Sequence, residues 1–165
     1  MGTLNLSSGV ALSATGTAFG NSAASWSDAP PGTIIQTVSA TTTTELSTSS
    51  TSYQTWFGVT WTPRQTNSHK IITVFSIRNR LSANVEINYR IYDGTNNTDR
   101  WRMYNASASV FFLAPTMSWH WTQSHTAGVP VTFSAQARDG GGGTGSVIWG
   151  DNGGTSTIVV QEIAQ

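Results

Sequence analysis

VEINYRIY, residues 85–92, places Val85, Ile87, Tyr89 and Ile91 on one parity and Glu86, Asn88, Arg90 and Tyr92 on the other. Successive side chains of a strand leave the backbone on opposite sides, so this order buries one face and wets the other. VPVTFSAQAR (129–138) repeats the alternation, with Val129, Val131, Phe133, Ala135 and Ala137 directed inward. KIITVFSIRNR (70–80) sets Ile71, Thr73, Phe75 and Ile77 against Ile72, Val74 and Ser76. A strand apolar on both parities belongs in the middle of a sheet. TIIQTVS (33–39), WFGVTWT (56–62), RWRMY (100–104), SVFFLA (109–114), MSWHWTQ (117–123), SVIWG (146–150) and STIVVQEI (156–163) read as further strands. DGTNNTD (93–99), GGGGTG (140–145) and GDNGG (150–154) supply the turns between them. No stretch after residue 33 carries a helical stripe. The expectation is an all-β chain, an antiparallel β-sandwich of jelly-roll-like topology over residues 33–165.

Residues 1–32 differ. Their apolar side chains Leu4, Leu6, Val10, Leu12, Phe19 and Trp26 are widely spaced among Gly, Ala, Ser and Thr, and the segment closes on DAPPG (28–32). Gly9, Gly16 and Gly20 discourage a long helix, and so sparse a pattern cannot bury a core of its own. This predicts an extended N-terminal attachment arm, with those six residues as its anchors on partner subunits.

Charged residues are 10% of the chain, against roughly 25% in an ordinary soluble domain. Ser and Thr fill 46 of 165 positions, and Lys70 is the single lysine. TTTTELSTSSTSY (41–53) concentrates the hydroxyls; it is expected along an edge or rim, anchored by Leu46 and Tyr53, as surface rather than as a site. Formal net charge is zero, which offers no cationic field for nucleic acid. Arg78, Arg80, Arg90, Arg100 and Arg102 lie among Glu86, Asp93 and Asp99 and read as paired or rim charges. Near-zero charge also favours self-association. There is no cysteine, and no apolar run long enough to span a membrane. MGTLNLSSGV lacks the basic start and apolar run of a secretion signal.

No constellation of residues argues for catalysis, a metal or a cofactor. His120 and His125 lie five apart, an odd offset that separates them across a strand, and His69 is remote in sequence. The eight carboxylates are scattered singly, mostly in turns; a glycosidase would need two of them facing each other, so a carbohydrate-active enzyme is the weakest reading. GGGGTGS is followed by a strand, not by the helix N-terminus that phosphate cradling requires. DGTNNTD has alternating oxygens but neither the central Gly nor the terminal Glu of a calcium loop. Trp119 and Trp121 share one strand face, which makes them core or subunit-interface mass first and a stacking platform for a host glycan second.

PPGTIIQTVSATTTTELSTSSTSY (30–53), then HKIITVFSI (69–77) and the closing TSTIVVQEIAQ (155–165), resemble a phrase order common in small virion surface proteins of tailed bacteriophages. Members are capsid decoration (cement) or fibre proteins. The resemblance implies a homotrimeric β-sandwich on the virion, held to the major capsid protein or another virion protein by its N-terminal arm, without enzymatic activity. It brings no active-site residues. A fibre tip that binds host glycan is the alternative it implies.

Overall fold

The computed structural model describes residues 4–5, 11–12, 29–76, 79–98, 100–140, 147–149 and 154–165. Within them the chain forms fourteen strands and no helix. They are β1 (Leu4–Asn5), β2 (Ala11–Leu12), β3 (Ile34–Thr42), β4 (Leu46–Thr48), β5 (Gln54–Trp61), β6 (His69–Phe75) and β7 (Asn79–Leu81). The remainder are β8 (Val85–Tyr92), β9 (Trp101–Asn105), β10 (Phe111–Leu113), β11 (Thr116–Trp121), β12 (Val131–Asp139), β13 (Val147–Trp149) and β14 (Ser156–Ile163).

Eight of these build a sandwich of two four-stranded antiparallel sheets, β11-β6-β14-β3 and β5-β12-β8-β9. The pairing has a simple source. β8 pairs β9, β7 pairs β10, β6 pairs β11, β5 pairs β12, β4 pairs β13 and β3 pairs β14. The chain from β3 onward is thus one long hairpin whose apex is the loop after Tyr92. Rolling that hairpin brings β14 against β6, β12 against β8 and β13 against β7, which completes the jelly roll. The short strands β10-β7-β13-β4 form a third small sheet, made of the four connections at one end of the roll.

The core follows from the alternation. Val85, Ile87, Tyr89 and Ile91 are all buried, as are Phe133, Ala135 and Ala137 opposite Ile72, Val74, Ile158 and Val160. Each such aliphatic side chain contributes about 1.5–3 kcal/mol by leaving water. Gly58 permits one close approach: a Cβ there would lie 2.6 Å from the Phe133 carbonyl oxygen on the neighbouring strand. Two buried asparagines are satisfied locally. Asn79 accepts from the Ser76 hydroxyl and donates to the Tyr89 hydroxyl at 2.9 Å. Asn105 donates to Ser82 O and Ser109 O at 2.8 and 2.9 Å and accepts from Ser107 N, tying two connections of the small-sheet end together.

Two expectations need correction. KIITVFSIRNR is two strands, β6 and β7: the Ser76 amide still bonds the Pro115 carbonyl opposite it, but Pro115 has no N–H to return and the β6–β11 ladder ends there. Val129 is exposed, since β12 begins two residues later. The hydroxyl-rich stretch lies along an edge, as expected: it contains part of β3 and all of β4, each an edge strand of its sheet, with Leu46 packed against the core and Tyr53 half-buried. The GGGGTG turn lies outside the described residues, apart from Gly140.

Two substitutions test this packing by chemical unfolding. Ile87→Ala should cost about 2–5 kcal/mol, as for a large buried aliphatic. Gly58→Ala should destabilise although it adds apolar surface, because the added methyl meets backbone and not a movable side chain. An unchanged midpoint for either would contradict the register of β5, β8 and β12.

Candidate functional site

Opposite the small sheet, three loops meet: 62–68 after β5, 93–100 after β8 and 122–130 after β11. Backbone bonds from His125 N to Thr66 O and from Gly128 N to Pro63 O join two of them. His125 Nε2 donates to Asp93 Oδ2 at 2.9 Å, joining the third. Asp93 Oδ1 also accepts from the amides of Thr95 and Asn96, so the DGTNNTD segment is closed by its own first residue. Burial opposes ionisation of Asp93, yet the Asn96 and Thr95 amides and His125 outweigh it, and its pKa lies below the usual carboxylate value. The His125 ring stands between Trp61, Trp121 and Phe133, at centroid distances of 5.7, 6.2 and 5.5 Å.

Beneath these loops sits the one lysine. Lys70 falls on the inward parity of β6 with Ile72 and Val74, and its side chain is buried. Its Nζ donates to Gln123 O at 2.8 Å and stands 5.4 Å from the centroid of Trp61. Burial lowers its pKa to about 8, against the opposing pull of Glu162 and Asp93. Glu162, its register partner on β14, is buried too and accepts from Arg64 N, Gln65 N and Ser68 Oγ at 2.7–3.1 Å. The carboxylates and the ammonium are therefore directed at loop backbone and act as fasteners for this end of the roll.

Two histidines do meet, though not the pair nearest in sequence. His69 and His120 are diagonal neighbours on the outer face of β6 and β11, with ring nitrogens 3.2 Å apart. His125 belongs to the loop beyond β11. Beside His120 a shallow cleft of about 200 Å³ is lined by Asn97, Thr98, Trp121, Thr122 and Gln123. Among the described residues no group of three or more His, Cys, Asp or Glu is placed to hold a metal ion.

Trp119 and Trp121 do share a face, and it is the inner one. They are 8% and 2% exposed and lie in the core beside Met117. Neither ring offers a surface for a glycan, and neither is available to a partner subunit. Sequence parity could not choose between inside and outside, because MSWHWTQ alternates Trp with His and Ser on both readings. Of the arm residues, Leu4 and Leu12 belong to β1 and β2, which pair with each other. Leu6, Val10, Phe19 and Trp26 lie outside the described residues.

The large apolar side chains that do face solvent gather elsewhere. Trp101, Tyr104, Val110, Phe111 and Phe112 are each 39–53% exposed. They occupy β9, β10 and the turn between, and each of those strands ends the order of its sheet, leaving one side unpaired. SVFFLA reads in sequence as a strand, but an uninterrupted apolar run has no parity to reveal its outer face.

No protein-family model and no curated protein matches the chain. A solved structure titled "Structure of infectious bursal disease virus Gt strain" is similar at a TM-score of 0.34 and 12% identity, over 80% of this chain and 39% of that one. The chain spans well under half of the protein it matches, and a likeness at this level carries no argument about function.

Lys70 makes this end pH-sensitive. Its folded pKa of about 8 lies below the ordinary 10.5, so the unfolded chain holds a proton that the folded chain has released between those values. Stability against urea should therefore rise from pH 8 to pH 10. Above pH 10 Tyr89 works in the opposite sense, because burial raises its pKa far beyond the normal tyrosine value. Lys70→Met should remove the rise; a Met variant with the same slope would contradict the buried ammonium.

Proposed function

We propose that this chain is a non-enzymatic structural protein of a virion, a homotrimeric capsid decoration protein fixed to the coat by residues 1–32. The observation that carries the reading is the exposed apolar segment on β9 and β10. Five large side chains, each roughly half exposed, together leave on the order of 400 Å² of apolar surface in water along these two edge strands, on both their faces. Burying it between identical copies around a threefold axis gives the aromatics a use and covers two open strand edges.

The chemistry elsewhere fits that role. The buried ionisable groups at the loop end hold loops together, and the sandwich is closed without disulfides. A charge-poor, hydroxyl-rich surface resists neither association nor close packing on a shell. Coat subunits would supply the contacts for the widely spaced apolar residues of 1–32.

Sedimentation equilibrium tests the oligomer. The full chain should sediment as a trimer, and Phe111→Ser combined with Phe112→Ser should give a folded monomer. A wild-type monomer, or a trimer indifferent to both changes, would overturn the assignment of this surface. Deleting residues 1–32 should leave a folded trimer that no longer joins particles; loss of the fold would count against the arm.

A further inference from the structure

The outer face of β8 and β12 carries two arginines that the sandwich does not need for packing. Arg90 pairs in register with Gln136, and Arg138 with Asn88, so the two guanidiniums project from one face as diagonal neighbours. Both reach the same aromatic ring. The Arg90 guanidinium carbon lies 3.8 Å from the Tyr53 centroid, and that of Arg138 lies 5.0 Å from it. Each is also held from the side: Arg90 Nε donates to Gln136 Oε1 at 2.7 Å, and Arg138 Nη1 donates to Thr51 O at 3.0 Å. Gln136 is fixed in turn by donating to Thr55 Oγ1.

What these cations lack is an anion. Among the described residues neither forms an ion pair, whereas Arg102 on the same face is paired with Glu86 at 3.3 Å. Arg138 Nε is buried with no acceptor. Two like charges brought to one ring repel, and an unpaired buried N–H is costly. An oxoanion bound by their remaining N–H groups would offset the like-charge repulsion, since guanidinium presents parallel N–H groups matched to two oxygens.

We propose that Arg90, Arg138 and Tyr53 form a binding site for the carboxylate or sulfate group of an acidic saccharide. The surroundings select the class. β8 and β12 are the inner strands of their sheet, with ladder bonds on both sides, so no main-chain edge is open for a peptide to extend. Zero net charge gives no counterion-releasing field for nucleic acid. Exposed Thr51, Ser52 and Thr55 ring the site with hydroxyls of the kind that pair with sugar hydroxyls. The hydroxyl-rich stretch, expected to be surface only, thus supplies Tyr53, the Thr51 carbonyl and part of the rim. The proposal does not depend on the trimer or on the arm.

Isothermal titration of the full chain tests it, using a panel of uronate-bearing and sulfated oligosaccharides, the carboxyl-reduced or desulfated counterpart of each, and inorganic sulfate. At least one acidic saccharide should bind, weaken with added salt and lose tenfold or more in affinity in both Arg90→Gln and Arg138→Gln. Its neutral counterpart should not bind, and Arg138→Lys should fall between, having charge without the fork. Unchanged thermal unfolding in each variant separates a lost site from a lost fold; should Arg90→Gln unfold, Arg138→Gln decides. Binding of neutral sugars as tightly as acidic ones, indifference to the arginine variants, response to inorganic sulfate alone, or silence across the panel would each overturn it.

Discussion

Every second side chain of β14 points between the two sheets: Ser156, Ile158, Val160 and Glu162 are fully buried, while Thr157, Val159, Gln161 and Ile163 look outward. This strand lies between β3 and β6, more than eighty residues from either in the chain, and pairs with both along its length. Until it docks, β3 has no partner and β6 has only one. The roll is therefore closed by its last strand, and the interaction that fixes its register is the Glu162 carboxylate gripping the Arg64 and Gln65 amides and the Ser68 hydroxyl. A shift of β14 by one residue would turn that carboxylate outward and Gln161 inward, with Ile158 and Val160 leaving the core.

That constraint orders the rest of the molecule. With β14 in place, Lys70 is brought beside Glu162, the loop after β5 is pinned, and the loops bearing Asp93 and His125 close over them. Ionisable groups are spent on holding loops, which leaves the outer faces to hydroxyls, aromatics and a few arginines. Two outward-facing features stand out: the apolar segment on β9 and β10 and the Arg90–Arg138 pair over Tyr53. One is suited to other protein copies and the other to a small anionic group, and they lie on different strands, the first on β9 and β10 and the second on β8 and β12.

The strands were legible because the physics that makes them is local. Alternation along VEINYRIY and STIVVQEI identifies a half-buried strand without knowledge of its neighbours, and each of the ten stretches read as strands contains one, KIITVFSIRNR two. The long hairpin was not legible, because β3 meeting β14 is a property of the closed roll and leaves no mark on either segment. Parity also conceals which side is inner where both are apolar. In KIITVFSI it hid a lysine pointing inward, and in MSWHWTQ it left the tryptophans open to a surface role they do not have. The Arg90–Arg138 pair escaped for a related reason: forty-eight residues separate the two, and only the β8–β12 register sets them on one ring.

Hydrogen exchange followed by mass spectrometry tests most directly whether the final strand closes the fold. Amides of β14, together with those of β12 that bond on both sides, should exchange last, at the rate of global unfolding, while the edge strands β9 and β10 exchange earlier. Exchange of β14 as fast as that of β10, with the remaining sheets still protected, would show that the sandwich stands without its last strand and would contradict the account.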